Sequence, residues 1–142
     1  MKHLTSTESL KTESRSQMLE ITQQVQSLIS RERIQEGLAI VYVPHTTAAV
    51  TINENADPDV KHDLLKKLES LIPHYESYYH HGEGNSDSHV KTSLVGNSVQ
   101  ILIQRGKLLL GQWQGIQFCE FDGPRERKFI VKIVSFDRPE LD

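Results

Sequence analysis

Three polar segments hold the side chains that could do chemistry: His45-Thr46-Thr47, Glu83-Gly84-Asn85-Ser86-Asp87-Ser88-His89 and Asp122-Gly123-Pro124-Arg125-Glu126-Arg127. Imidazoles exchange protons near neutral pH, and guanidinium forks match the oxygens of phosphate or carboxylate. Each segment adjoins an apolar run, so the ends of buried elements could gather all three at one cleft. The set suits an anionic, phosphorylated small molecule.

His45 leaves one apolar run and enters another through two threonines, so rigid elements on both sides would hold its ring. It could act as general acid or base, as a donor to phosphate, or as a metal ligand. The plain alternative is a histidine hydrogen-bonded at a strand crossover. His89 falls on the first turn of a short helix capped by Asn85 or Ser86, where free amides and the helix dipole favour an anion. The alternative there is an incidental surface histidine, although Glu83 and Asp87 are more acids than a cap needs. His45 and His89 with a carboxylate from Glu54, Glu83 or Asp87 would supply the donors of a zinc-type site. Neither H-x-x-x-H nor H-E-x-x-H spacing occurs, so no single helix presets that geometry.

Arg125 and Arg127, two apart, would point to opposite sides of an extended chain. Arg125, nearest the Gly123-Pro124 turn, is expected in the cleft, with an Asp122–arginine pair that merely holds the turn as the alternative. Asn53 and Glu54 close one strand before a helix, and their polar groups are expected to reach the same cleft as His45. His62 reads as solvent-facing, while His74 and His80 sit in a segment with loop character. Trp113 reads as core by default. Cys119, inside an apolar strand, reads as a small buried hydrophobe.

Positioning these residues requires strands. Residues 2–10 read as a strand, and Thr22 is expected to cap a short helix with Val25, Leu28 and Ile29 inward. Residues 38–43 and 48–52 read as strands either side of His45. Asp57-Pro58 opens a helix, Asp supplying the cap and proline lacking an amide that would otherwise go unbonded. Val60, Leu64, Leu65, Leu68, Leu71 and Ile72 recur at helical spacing until Pro73 ends the run. A polar loop over 74–83 leads to the Asn85 helix, which Gly96 terminates. Strands follow over 99–104 and 107–110, as a hairpin across Arg105-Gly106, then over 114–121 and 129–134. Strands outnumber helices and cluster late in the chain, which predicts a single α+β domain with a mixed or antiparallel sheet and two to three helices.

A chain of 142 residues with 37% hydrophobic content fits one domain with an ordinary core. Net charge of −3, no basic run and few aromatics argue against nucleic acid as partner. No apolar stretch approaches the length of a membrane span, and the N-terminus lacks the apolar segment of a secretory leader. With Cys119 alone, an internal disulfide is excluded. A soluble cytoplasmic protein without membrane or nucleic-acid partners is the expectation. A G-x-G-x-x-G or a phosphate loop with its lysine is absent, so nucleotide-fold readings fail.

The runs at 45–60 (His-Thr-Thr-Ala-Ala-Val-Thr-Ile-Asn-Glu-Asn-Ala-Asp-Pro-Asp-Val), 82–96 (Gly-Glu-Gly-Asn-Ser-Asp-Ser-His…) and 111–127 (Gly-Gln-Trp-Gln-Gly…Asp-Gly-Pro-Arg-Glu-Arg) closely resemble the YjbQ family, described as secondary thiamine-phosphate synthase enzymes. The resemblance covers nearly the whole chain. It implies a compact α+β fold, a homotrimer, and a transferase that joins a pyrimidine pyrophosphate to a thiazole phosphate with release of pyrophosphate. By position it marks His45, Thr46, Asn53, Glu54, Asn85, His89 and Arg125 as site residues. Ser88 departs from the alanine common before the second-block histidine.

On this reading His45, His89 and Arg125 are catalytic, while Thr46, Asn53, Glu54 and Asn85 bind substrate. A divalent metal, magnesium or zinc, could sit on carboxylates such as Glu54 or Asp87, or on His45 and His89. The alternatives are a metal-dependent hydrolase using His45 and His89, and a non-catalytic phosphometabolite-binding protein.

Overall fold

The computed structural model describes residues 2–139. Alternation governs its strands. β8 (Glu126–Ser135) buries every second residue from Arg127 to Ser135, which sends one row of side chains inward and leaves the other outward. It lies between β1 (His3–Lys11) and β3 (Gly37–Tyr42), and β5 (Ser98–Gln104) and the two-residue β6 (Lys107–Leu108) complete a five-stranded sheet ordered β1-β8-β3-β5-β6. A smaller sheet has the order β2-β7-β4, from β2 (Gln17–Glu20), β7 (Gln114–Glu120) and β4 (Ala48–Glu54). Every pairing is antiparallel.

The main core lies between the sheets. Ala39, Val41, Ile101, Ile103, Phe129, Val131 and Ile133 from the large sheet meet Val50, Ile116 and Phe118 from the small one. Helix α1 (Thr22–Arg31) closes this core with Val25, Leu28 and Ile29, the stripe its periodicity predicts. Its start differs from expectation. Ile21 is the cap residue without a side-chain bond, and Thr22 Oγ1 instead accepts the amide of Ile116 at 2.8 Å, tying the helix to β7.

The outer face of the small sheet is covered differently. Helix α2 (Pro58–Leu71) begins as predicted, with Asp57 accepting the Asp59 amide at 2.9 Å and proline at the first position. Yet no residue of α2 is fully buried. Leu64, Leu65 and Leu68 lean on a second cluster of Met18, Ala49, Cys119 and Phe121, while Leu71 stays 61% exposed. Helix α3 (Ser86–Val95) turns a polar face inward, burying Asp87, Ser88, Lys91 and Thr92.

β2 was not expected from its short, mixed pattern; it forms because Met18 joins the second cluster while Gln17–Glu20 pairs with β7. Trp113 lies in the loop before β7 and is 57% exposed rather than core. Cys119 is buried as predicted, and burial pushes its thiol up to about 12, which removes it as a nucleophile. Among the described residues no helix is long and apolar enough to cross a membrane.

Candidate functional site

The three polar segments do meet. One open hollow of about 440 Å³ is bordered by the β3–β4 connection (His45, Thr46, Thr47), the approach to α3 (His81, Glu83, Asn85, His89) and the β7–β8 turn (Asp122, Arg125, Arg127).

The β3–β4 connection is short and held from behind. Asn97 lies just past α3, and its side-chain amide is 3.1, 2.9 and 3.3 Å from the carbonyl oxygens of Val43, His45 and Ala48. From β8, the backbone N–H of Lys128 donates to His45 Nε2 at 3.0 Å. That bond occupies one ring lone pair, so the neutral ring carries its proton on Nδ1. Burial first, and then the nearby Arg127 charge, hold the His45 imidazolium below its ordinary 6.5. His45 is therefore built as a neutral hydrogen-bond donor.

Beneath it lies a buried ion pair. Glu120, with no exposed surface, accepts from Arg127 Nε at 2.7 Å and pairs with its terminal nitrogen, and also takes the Thr12 hydroxyl at 2.9 Å and the Asp122 amide at 2.8 Å. Arg127 spends its remaining capacity on Thr47, reaching Oγ1 at 2.8 Å. Around the cis Gly123–Pro124 peptide, a side chain at position 123 would run into the Ser14 carbonyl, so only glycine lets the turn pack this closely.

The outer pair behaves differently. Arg125 donates to the Asp122 carbonyl at 2.8 Å and to its carboxylate at 2.9 Å, and its side chain keeps 52% of its surface open. Arg125 is thus the accessible guanidinium and also makes the turn-holding pair with Asp122 that was the alternative, while Arg127 lines the same hollow from a buried position and not the opposite side. Asp122 also accepts the Asn85 amide at 2.8 Å, so Asn85 caps α3 in position but sends its side chain to the turn. The side-chain oxygen of Asn85, Oδ1, is buried without a partner.

Asp87 is not available to a ligand. It is fully buried on α3 and takes both Arg15 terminal nitrogens, at 3.1 and 3.0 Å, and Lys91 Nζ at 3.0 Å. Burial alone would raise its carboxyl, but Arg15 and Lys91 hold it below the ordinary 3.8. Ser88 gives its hydroxyl to the Phe121 carbonyl at 2.6 Å and so pins α3 to the end of β7.

His81 escaped the sequence reading altogether. It stands edge-on to His89 with ring centroids 5.4 Å apart, adding a third imidazole to the cleft beside His45 and His89. Its loop is braced by His74, whose Nε2 meets the Gly84 carbonyl at 2.9 Å. Only proximity in the chain to Glu83 could have flagged it.

Asn53 and Glu54 are corrections. They end β4, and Thr46-Thr47 precede its start, so the extended chain separates the two by roughly 20 Å. Asn53 instead borders an apolar groove beside Thr51, Leu64 and Leu68, and the Glu54 carbonyl takes the Gln117 amide. The metal reading fails on the residues present. Asp87 is consumed by two cations, Glu54 is remote, and His45 has one nitrogen engaged and the other protonated. Glu83 borders the hollow but has His81 at 3.8 Å as its partner, away from His45. Among the described residues no three His, Cys, Asp or Glu side chains stand close enough to hold a metal ion.

Residues 6–136 match the family model described as UPF0047 protein YjbQ-like. The chain belongs to the YjbQ-like UPF0047 family. A UPF0047 protein of Methanocaldococcus jannaschii is 55% identical over 89% of this chain and 91% of its own. The UPF0047 protein YugU of Bacillus subtilis is 46% identical over 89% and 96%. Among solved structures, a YjbQ/UPF0047 protein of Clostridium acetobutylicum superposes with a TM-score of 0.89 at 51% identity, covering 91% of this chain and 99% of that one. A relative from Sulfolobus solfataricus reaches 0.90 at 29% identity over 94% and 98%, and is described as a protein of unknown function. UPF0047 membership therefore accounts for the fold, and the chemistry has to be argued from the cleft.

Proposed function

We propose that this UPF0047 chain is an enzyme acting on phosphorylated small molecules, and that its reaction joins a pyrimidine pyrophosphate to a thiazole phosphate. The observation that carries the reading is the convergence of the His45 Nδ1–H, His89 and the exposed Arg125 on one hollow beside the α3 N-terminus. A pyrophosphate bound there would meet a guanidinium fork, the His45 Nδ1–H donor, the His89 ring and the positive end of a helix dipole. In the reaction the thiazole nitrogen attacks the carbon bearing pyrophosphate. A C–N bond forms, the C–O bond breaks, and the electron pair leaves on the pyrophosphate oxygen. Nothing in this displacement demands a general base, which suits a histidine whose lone pair is already engaged. Arg125 would leave Asp122 in part to neutralise the departing group.

The test is thiamine-phosphate formation and pyrophosphate release by wild type, His45→Ala, His89→Ala and Arg125→Gln. Turnover in wild type and its loss in Arg125→Gln and His89→Ala is expected; equal turnover in all four ends the mechanism. The engaged His45 nitrogen also favours a second reading, a non-catalytic phosphometabolite binder, which predicts saturable pyrophosphate binding without product. We further propose a homotrimer. Leu71, Val90 and Leu94 are 61%, 46% and 64% exposed across the α2 and α3 surfaces, an apolar face that a second copy would cover. Light scattering on the eluted protein should give three times the chain mass; a monomer would refute it.

A further inference from the structure

At the far end of α1 lies a second polar hollow, of about 630 Å³, between that helix and the β5–β6 hairpin. Arg33, Arg105 and Lys107 border it with the side chains of Gln23, Gln26 and Gln35. Two features set it apart from an ordinary solvated face.

The first is backbone strain. Among the described residues only Arg33 and Arg105 are non-glycines with positive φ, at 56° and 53°. Arg33 follows the α1 cap, where its amide donates to Ser30 and the next amide to Ile29. Glycine or asparagine ordinarily takes that place. Arg105 opens the two-residue turn closed by Gly106, φ 77°, between the paired Gln104 and Lys107. Asparagine-glycine is the unstrained choice there. Two unrelated turns thus each keep an arginine where its Cβ is disfavoured, and both arginines border the same hollow. Strain retained at an exposed position points to a role that strain-free residues would not fill.

The second feature is charge without compensation. None of the three cations forms an ion pair among the described residues, in a chain whose net charge is −3. The nearby acids have other partners: Glu36 accepts the Arg105 amide at 3.3 Å, Asp137 those of Gln35 and Glu36 at 3.0 and 2.8 Å, and Glu32 pairs with Lys2 and Arg31 at 3.7 and 3.8 Å. The two walls are also locked together. Gln26 on α1 accepts the Leu108 amide at 3.0 Å and donates to the Gly106 carbonyl at 2.9 Å, so the hollow exists before any ligand arrives.

We propose that this hollow is a second anion site, distinct from the His45–Arg125 cleft, for a small molecule carrying two or more adjacent oxyanion groups. A monoanion would leave most of the fixed positive charge unanswered, whereas a pyrophosphate group presents oxygens to both guanidinium forks and to Lys107.

Inorganic pyrophosphate is the probe, followed by calorimetry and by amide NMR shifts in an Arg125→Gln protein whose cleft is weakened. The test variant adds Arg33→Gly and Arg105→Asn, which remove two charges and relax both turns. Its melting temperature should equal or exceed that of its parent, so misfolding cannot mimic the result. The site predicts shifts at the Arg33 and Gly106 amides in the parent and affinity weakened by about tenfold or more in the variant. Unchanged affinity in the relaxed variant, or pyrophosphate that leaves those amides unmoved, overturns it and makes the arginines simple turn residues. Comparison of wild type with Arg125→Gln reports separately on the cleft.

Discussion

Two acid–arginine pairs are nested around one turn: Glu120 with Arg127 inside, Asp122 with Arg125 outside. Their chemistry is the same and their surroundings are opposite. The inner pair has side chains only 0% and 5% exposed, and it is further tied to Thr12, Thr47 and the Asp122 amide. The outer arginine is half open to solvent. A buried pair cannot release a partner without stranding a charge, so it serves as a floor. An exposed pair gains little from its partner and can exchange it for a ligand. The cleft therefore divides its two arginines by burial, one holding shape and the other open to solvent.

The comparison breaks most visibly if the inner pair is cut. Glu120→Ala should cost about 3–5 kcal/mol in chemical denaturation, because Arg127 would remain buried and unpaired. Arg125→Gln should cost less than about 1 kcal/mol by the same measurement, while weakening pyrophosphate binding by about tenfold or more. Equal destabilisation by both variants would refute the division of labour. A smaller effect follows from pH. His45 titrates below 6.5 in the folded protein, so as pH falls through 6.5 the unfolded chain takes up a proton that the folded chain resists. Stability is fully present above that pH and declines beneath it, and His45→Gln should flatten that part of the profile. Asp87, held below 3.8, adds a further loss only as pH falls into the carboxylate range.

Local signals carried far. The Asp57-Pro58 start, the α1 stripe, the Gly96 stop and the Arg105-Gly106 hairpin each depend on a few adjacent residues, and all appear in the structure. Failures came where a residue's partner is distant in sequence. Asp87 read as a carboxylate that could serve a metal, yet Arg15, 72 positions away, claims it. Glu54 looked like a neighbour of His45, but an extended strand carries it to the opposite edge. His81 had no signal of its own, because its meeting with His89 depends on how the loop before α3 folds back.

The sequence by itself determined a single α+β domain with a mixed or antiparallel sheet and the three polar segments of the cleft, since alternation, caps and turn residues act over a few positions of backbone. The division into two wholly antiparallel sheets came from the structure. Only the tertiary structure decided which charges are free. Whether an arginine or a carboxylate can meet a ligand depends on the solvent it has lost and the partners it has gained, and those are set by contacts between elements, not by spacing along the chain.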